Sequence, residues 1–149
     1  MHIQESVIFS AHNLLHYRGS HTPEQLRKIT KVMDAYIADH GAEQIGSQIL
    51  AQHMSCEATG TTDIEVYIPV DKVLPGNDEF DFVPQLIVKD CLKAQFFGSL
   101  DLIPQALWLL VGKAENTGHE LAAPTYIVID GFAGDYQCSV YAKTNPFRS

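Results

Sequence analysis

The sequence predicts an α+β fold: a pseudo-symmetric duplication of a β-α-β-β unit, giving an antiparallel sheet with two helices on one face and a groove on the other. Three observations predict it. Two helical stripes each follow a β-prone run and precede two further strand candidates. Turn and cap signals recur in the same order in both halves. The 149 residues, 46% hydrophobic and 19% charged, suffice for one packed domain. Residues 1–149 are therefore read as a single domain, with half-repeats at 1–70 and 85–149 and a linker at 71–84.

The first half opens with a β-prone run over 7–17, followed by Arg18-Gly19. Thr22 suits an N-cap and Pro23 the first helical position. Leu26, Ile29, Met33, Ile37 and His40 recur at steps of three and four, which draws one apolar stripe. Gly41 suits the residue after the helix. Strands are predicted over 48–54 and 62–70, with Thr59-Gly60 in the turn between them. Ile64, Val66 and Ile68 alternate with Glu65 and Tyr67, the period of a half-buried strand. Pro75-Gly76-Asn77, a group of acids and Pro84 mark the linker.

The second half repeats the order. A bulged strand over 85–97 ends at Gly98. A helix opens near Leu102, carries Pro104 in its first turn, shows the stripe Ile103, Leu107, Leu110, Ala114, and stops at Asn116-Thr117-Gly118. Trp108 lies about 100° around that helix from Leu107 and is expected at the core edge. Strands follow over 124–130 and 135–144, joined by Gly131-Phe132-Ala133-Gly134. The paired signals are Tyr17-Arg18-Gly19 with Phe96-Phe97-Gly98, Pro23-Glu24-Gln25-Leu26 with Pro104-Gln105-Ala106-Leu107, and Glu65-Val66-Tyr67 with Ser139-Val140-Tyr141.

Charge and composition exclude several function classes. Ten Lys and Arg against eighteen Asp and Glu leave a net charge of −8 with no basic block, so no nucleic-acid binding is expected. The longest apolar run, Ala106 to Val111, is far short of the ~20 residues of a membrane span. No signal-peptide pattern opens the chain, and a cytoplasmic location is expected. Cys56, Cys91 and Cys138 are odd in number and widely spaced, which argues against a zinc site or a disulfide framework.

On the strand around residue 65, Glu65 and Tyr67 share the face opposite Ile64, Val66 and Ile68. If the aliphatic face meets the helices, Glu65 and Tyr67 face the groove, joined through the repeat by Ser139 and Tyr141, with Phe97 and Tyr126 as further lining candidates. A carboxylate among tyrosines suits a flat cation, through charge pairing and a cation–π attraction of ~0.5–2 kcal/mol. Desolvation there would raise the pKa of Glu65. His12 and His16, four apart on a strand, are expected to share a face. With His53 they offer nitrogen ligands, but no carboxylate or cysteine sits at a metal-site spacing, so neither a metal nor another cofactor is expected. Glu65 beside a tyrosine is the one acid–base pair available for catalysis. Cys138 should face the helices with Tyr136 and Val140 and be inert.

The repeat and its motifs resemble the GyrI-like domain, the effector-binding domain of bacterial transcription activators. Asp63-Ile64-Glu65-Val66-Tyr67-Ile68-Pro69-Val70 resembles that family's strand ending in a Pro-Val pair, Phe97-Gly98-Ser99 its glycine before the second helix, and Leu121-Ala122-Ala123-Pro124-Thr125-Tyr126 the segment after that helix. The resemblance covers nearly the whole chain. It implies a pseudo-symmetric α+β fold with a groove that takes amphipathic, often cationic, small molecules. It further implies a stand-alone member, since the chain leaves no room for a DNA-binding domain. Ile127 stands where multidrug-responsive members place an acid, which leaves Glu65 as the acidic candidate. The reading that follows is a non-catalytic domain for small hydrophobic or cationic ligands. Two alternatives stand beside it: an acidic protein-interaction module, acting as an inhibitor or accessory factor on a protein partner, and a hydrolase of strained small molecules using Glu65.

Overall fold

A computed structural model describes residues 1–56, 60–132 and 135–147. Among them the chain runs β1 (His2–His21), α1 (Pro23–Asp39), β2 (Ile49–Cys56), β3 (Thr61–Pro69), β4 (Asp81–Gly98), a 3-10 turn (Leu100–Leu102), α2 (Ile103–Asn116), β5 (His119–Phe132) and β6 (Asp135–Pro146). This is an α+β architecture, mostly antiparallel strand. Thr59 of the turn before β3, and Ala133-Gly134 between β5 and β6, lie outside the described residues.

The chain forms two compact units, one over Ala11–Leu86 and one combining Met1–Ser10 with Ile87–Ser149. In the first, β3 is flanked by β1 and β2, both antiparallel to it. The register sets His16 opposite Tyr67, Arg18 opposite Glu65, Ile49 opposite Tyr67 and Ala51 opposite Glu65. α1 begins where the sequence places it, and more firmly than a lone cap would hold it. The Gln25 amide donates to Thr22 Oγ1 at 3.3 Å, and the Thr22 amide donates to Gln25 Oε1 at 3.0 Å. Two of the helix's orphan donors are thereby satisfied reciprocally. Gly41, at φ +68°, follows the helix as its left-handed terminator.

Met33 and Ile37 of α1 pack with Leu15, Val66 and Ile68, so α1 covers the aliphatic face of this sheet and leaves Glu65 and Tyr67 on the other. Leu26 and Ile29 are half-buried against the same core, whereas His40 is exposed and turns its Nδ1 to the Tyr36 carbonyl at 2.8 Å. The stripe therefore ends at Ile37. Segment 71–80, read as linker, has no helix or strand but is packed: Leu74 and Phe80 are buried in this core, and the Phe80 ring meets Tyr36 edge-on at 5.2 Å. β4 begins at Asp81, so Pro84 lies inside a strand rather than ending a linker.

In the second unit β6 is flanked by β4 and β5, both antiparallel to it. Lys93 and Tyr126 stand opposite Tyr141, and Gln95 and Val128 opposite Ser139. α2 packs on β5 and β6 through Ala106, Leu110 and Ala114. Ala106 was not in the predicted stripe, while Ile103 and Leu107 are only half-buried. Trp108 is 77% exposed rather than at the core edge. The helix faces its sheet with Ala106, Leu110 and Ala114, which turns Trp108 outward. Cys138 and Val140 are buried as expected, and burial pushes the Cys138 thiol up to about 11.

Candidate functional site

The site is built on the face of the first sheet opposite α1. Side chains alternate along each strand, so the observed register puts His16, Glu65, Tyr67 and Ala51 on that face. His53 joins them from β2, within that strand's register shift between Gln52 and Ser55.

Glu65 is the centre. His16 Nε2 lies 2.9 Å from its Oε1, His53 Nε2 lies 2.7 Å from its Oε2, and the Tyr67 hydroxyl donates to Oε1 at 3.1 Å. An ionised carboxylate only accepts, so both Nε2 atoms act as donors. The His16 ring also stacks on Tyr67, with centroids 4.5 Å apart. The side chains of Glu65, His16 and His53 are 12%, 13% and 19% exposed.

The electrostatics reverse the expectation that desolvation would raise the Glu65 pKa. The hydrogen bond from His16, opposed by burial but reinforced by His53, by the charge of His16 and by Tyr67, lowers the carboxyl from 4.5 to about 2. Glu65 is therefore a fixed negative charge across the physiological range. As a general base it is weak, because catalytic efficiency falls as the pKa moves away from the working pH.

The histidines do not group as the sequence suggested. His12 is exposed and apart from the cluster. Asn13 takes φ +53°, which breaks the strand's alternation, and Leu14 and Leu15 are buried in succession. His16 and His53 converge instead on Glu65. No group of three or more metal-ligating side chains with the geometry to hold an ion occurs among the described residues.

In the second unit the candidates divide. Phe97, Ser139 and Tyr141 share a sheet face, as their register with β4 requires. Phe97 is 69% exposed and Ser139 half-buried. Tyr126 and Tyr141 are covered by Phe9, whose ring lies 5.1 Å and 4.6 Å from theirs, and Lys93 Nζ stands 5.3 Å over the Tyr141 ring. Both tyrosines thus already hold an apolar partner of the chain's own, and Tyr141 a cation as well. An open cleft of about 400 Å³ in this unit is lined by Glu5, Asp90, Leu92, His119 and Thr144, and by none of the sequence-derived candidates.

Sequence reasoning named His16 and His53 only as nitrogen ligands and not as partners of Glu65, and it missed Lys93 and Phe9. The signal for His16 and Lys93 was strand register, each standing opposite a tyrosine already singled out. Phe9 carried no comparable signal.

No family model matches the chain, and no curated protein matches it. Solved structures do. The crystal structure of the EcmrR C-terminal domain superposes with a TM-score of 0.72 at 11% identity, over 99% of this chain and 100% of that one. This chain shares the fold of that domain. EcmrR in its DNA complex within EcmrR-RPo gives a TM-score of 0.71 at 13% identity over 97% of this chain, which spans 58% of the length of that EcmrR chain. A hydrolase from Listeria innocua gives 0.65 at 6% identity, over 96% of this chain and 91% of that one. No helix among the described residues is long and apolar enough to cross a membrane.

Proposed function

We propose that this chain is a small-molecule binding domain of the GyrI-like type, in which Glu65 attracts the positive end of an amphipathic ligand. The observation that carries the reading is a carboxylate that stays ionised while largely withdrawn from water. A charge in such a place costs stability unless it is compensated, and it acts on a cation through less solvent screening than a surface charge would. Among the described residues, Oε1 accepts from His16 and Tyr67, whereas Oε2 accepts from His53 alone and has a lone pair to offer. The fold is the one shared with the EcmrR C-terminal domain.

The reading takes the two β-α-β-β halves as a duplication. The pairing orders β1-β3-β2 and β4-β6-β5 support this, as does the match of His16 opposite Tyr67 with Lys93 opposite Tyr141. Ligand contact then centres on Glu65, His16 and His53. Tyr67 positions the carboxylate through its hydroxyl more than it offers a ring face, since His16 occupies one side. DNA contact is not carried over from EcmrR, because a chain of net charge −8 without a basic cluster repels phosphate.

The Listeria innocua neighbour raises the hydrolase alternative, with Glu65 and Tyr67 as its acid–base pair. The lowered pKa of Glu65 speaks against it at neutral pH. The protein-interaction alternative has its own observation: Pro104, Leu107, Trp108 and Val111 form an exposed apolar patch on α2.

Calorimetric titration tests the binding reading with N-methylquinolinium and its neutral isostere methylnaphthalene. Wild type is expected to prefer the cation about tenfold, and Glu65→Gln to lose that preference while remaining folded. Equal affinity of wild type for the two probes would refute it.

A further inference from the structure

We propose that His16 and His53 determine the charge class of ligand that Glu65 accepts, admitting a cation while both imidazoles are neutral and excluding it once they are protonated. The inference rests on the binding reading above and concerns how that site is regulated.

The geometry carries it. Each imidazole directs its Nε2 hydrogen at Glu65, so in the neutral ring Nδ1 holds a lone pair. His16 Nδ1 lies 3.6 Å from Asp81 Oδ2. A lone pair facing a carboxylate is repulsive, and a proton taken up at Nδ1 turns that contact into an ion pair. His16 would then bridge two carboxylates without moving.

Among the described residues, the charged and titratable groups around the site are few. β1 brings His16 and Arg18, β2 brings His53, β3 brings Asp63, Glu65 and Tyr67, and Asp81 stands at the start of β4. Arg18 and Asp63 pair at 3.0 Å and cancel. Glu65 and Asp81 therefore leave two negative charges while the imidazoles are neutral. Protonation of both histidines brings the sum to zero. Glu65 remains ionised throughout, so the change comes from the histidines alone. A bound cation and the two imidazole protons compete for one carboxylate, and affinity must fall as the protons arrive.

The test titrates the full chain with N-methylquinolinium, whose charge does not depend on pH, from about pH 8 to about pH 5, the range of imidazole ionisation. Wild-type affinity is expected to fall about tenfold or more, because each competing proton lowers it by up to tenfold per pH unit. The double variant His16→Gln, His53→Gln keeps amide donors for Glu65 but cannot titrate, and its affinity should change less than about twofold. Histidine Cε1 resonances of unliganded wild type supply a second readout that needs no variant: those of His16 and His53 should titrate in the same range. Binding that is tight at both ends of the range overturns the inference and leaves the binding reading standing. A pH dependence that survives in the double variant, or Cε1 signals that stay fixed, also overturns it. Absence of binding at about pH 8 overturns both.

Discussion

Replacing Glu65 by Gln should change how the fold responds to acid, and the size of the change follows from the site. The native carboxyl sits at about 2 against an ordinary value of 4.5, because His16, His53 and Tyr67 hold the ionised form. A folded-state value below the unfolded one stabilises the fold above the unfolded value and loses that stabilisation as pH falls through the folded value. The gap from 4.5 to about 2 is worth roughly 3 kcal/mol when complete, of which about 2 kcal/mol is lost between about pH 5 and about pH 3. Glutamine has no such transition. Urea unfolding of both proteins at those two pH values isolates the effect, since the other carboxylates are common to both proteins. Wild type should lose about 2 kcal/mol more than the variant over this interval. A difference between the two proteins that stays constant within ~0.5 kcal/mol would refute the account of the cluster.

Other perturbations test the packing. Leu110→Ala removes a fully buried side chain of α2 and should cost about 2–5 kcal/mol in a denaturant titration, whereas Trp108→Ala, on the exposed side of the same helix, should stay within ~0.5 kcal/mol. A cost for Trp108 equal to that for Leu110 would mean the helix is rotated from the orientation described. Cys91 and Cys138 are buried with thiols raised by burial, so a thiol reagent should label neither in the native protein and both in denaturant. Labelling of either at its denatured rate without unfolding would contradict the packing of the second unit.

The fold was legible where local chemistry decides structure. Thr22-Pro23 starts α1, Gly41 and Gly118 follow the helices, and the alternation around Glu65 names the faces of β3 correctly, because caps, left-handed terminators and side-chain period are properties of a few adjacent residues. The misjudged positions depend on contacts between elements. Leu107 read as a core residue and Trp108 as a core-edge one by apolarity, but α2 faces its sheet through Ala106, Leu110 and Ala114, which leaves Leu107 half-buried and Trp108 exposed. His12 and His16 share a face in an uninterrupted strand, and the left-handed Asn13 interrupts this one. The segment at 71–80 has the composition of a linker, yet Phe80 is nearly fully buried because Tyr36 and the α1 core supply a place for it.

Glu65 was legible as a site candidate, but its environment was not. Its partners come from β1 and β2, and only strand register places His16 and His53 on its face. A slip of one residue in either pairing would send that imidazole to the α1 side and leave the carboxylate without it. The tyrosine surroundings expected from the repeat are replaced, in the first unit, by two histidines and one tyrosine. The electrostatic conclusion changes with them, from a carboxyl raised by burial to one held ionised by its hydrogen-bond donors.

The most direct measurement of the central claim is a map of where a cationic probe lands on the folded chain. Amide resonances followed by two-dimensional NMR during titration with N-methylquinolinium report this without any variant. The account predicts that the largest shifts fall at His16, Ala51, His53, Glu65 and Tyr67, saturating with one affinity. Shifts confined to Leu107, Trp108 and Val111 of α2, or to the cleft at Glu5, Asp90 and His119, would contradict it.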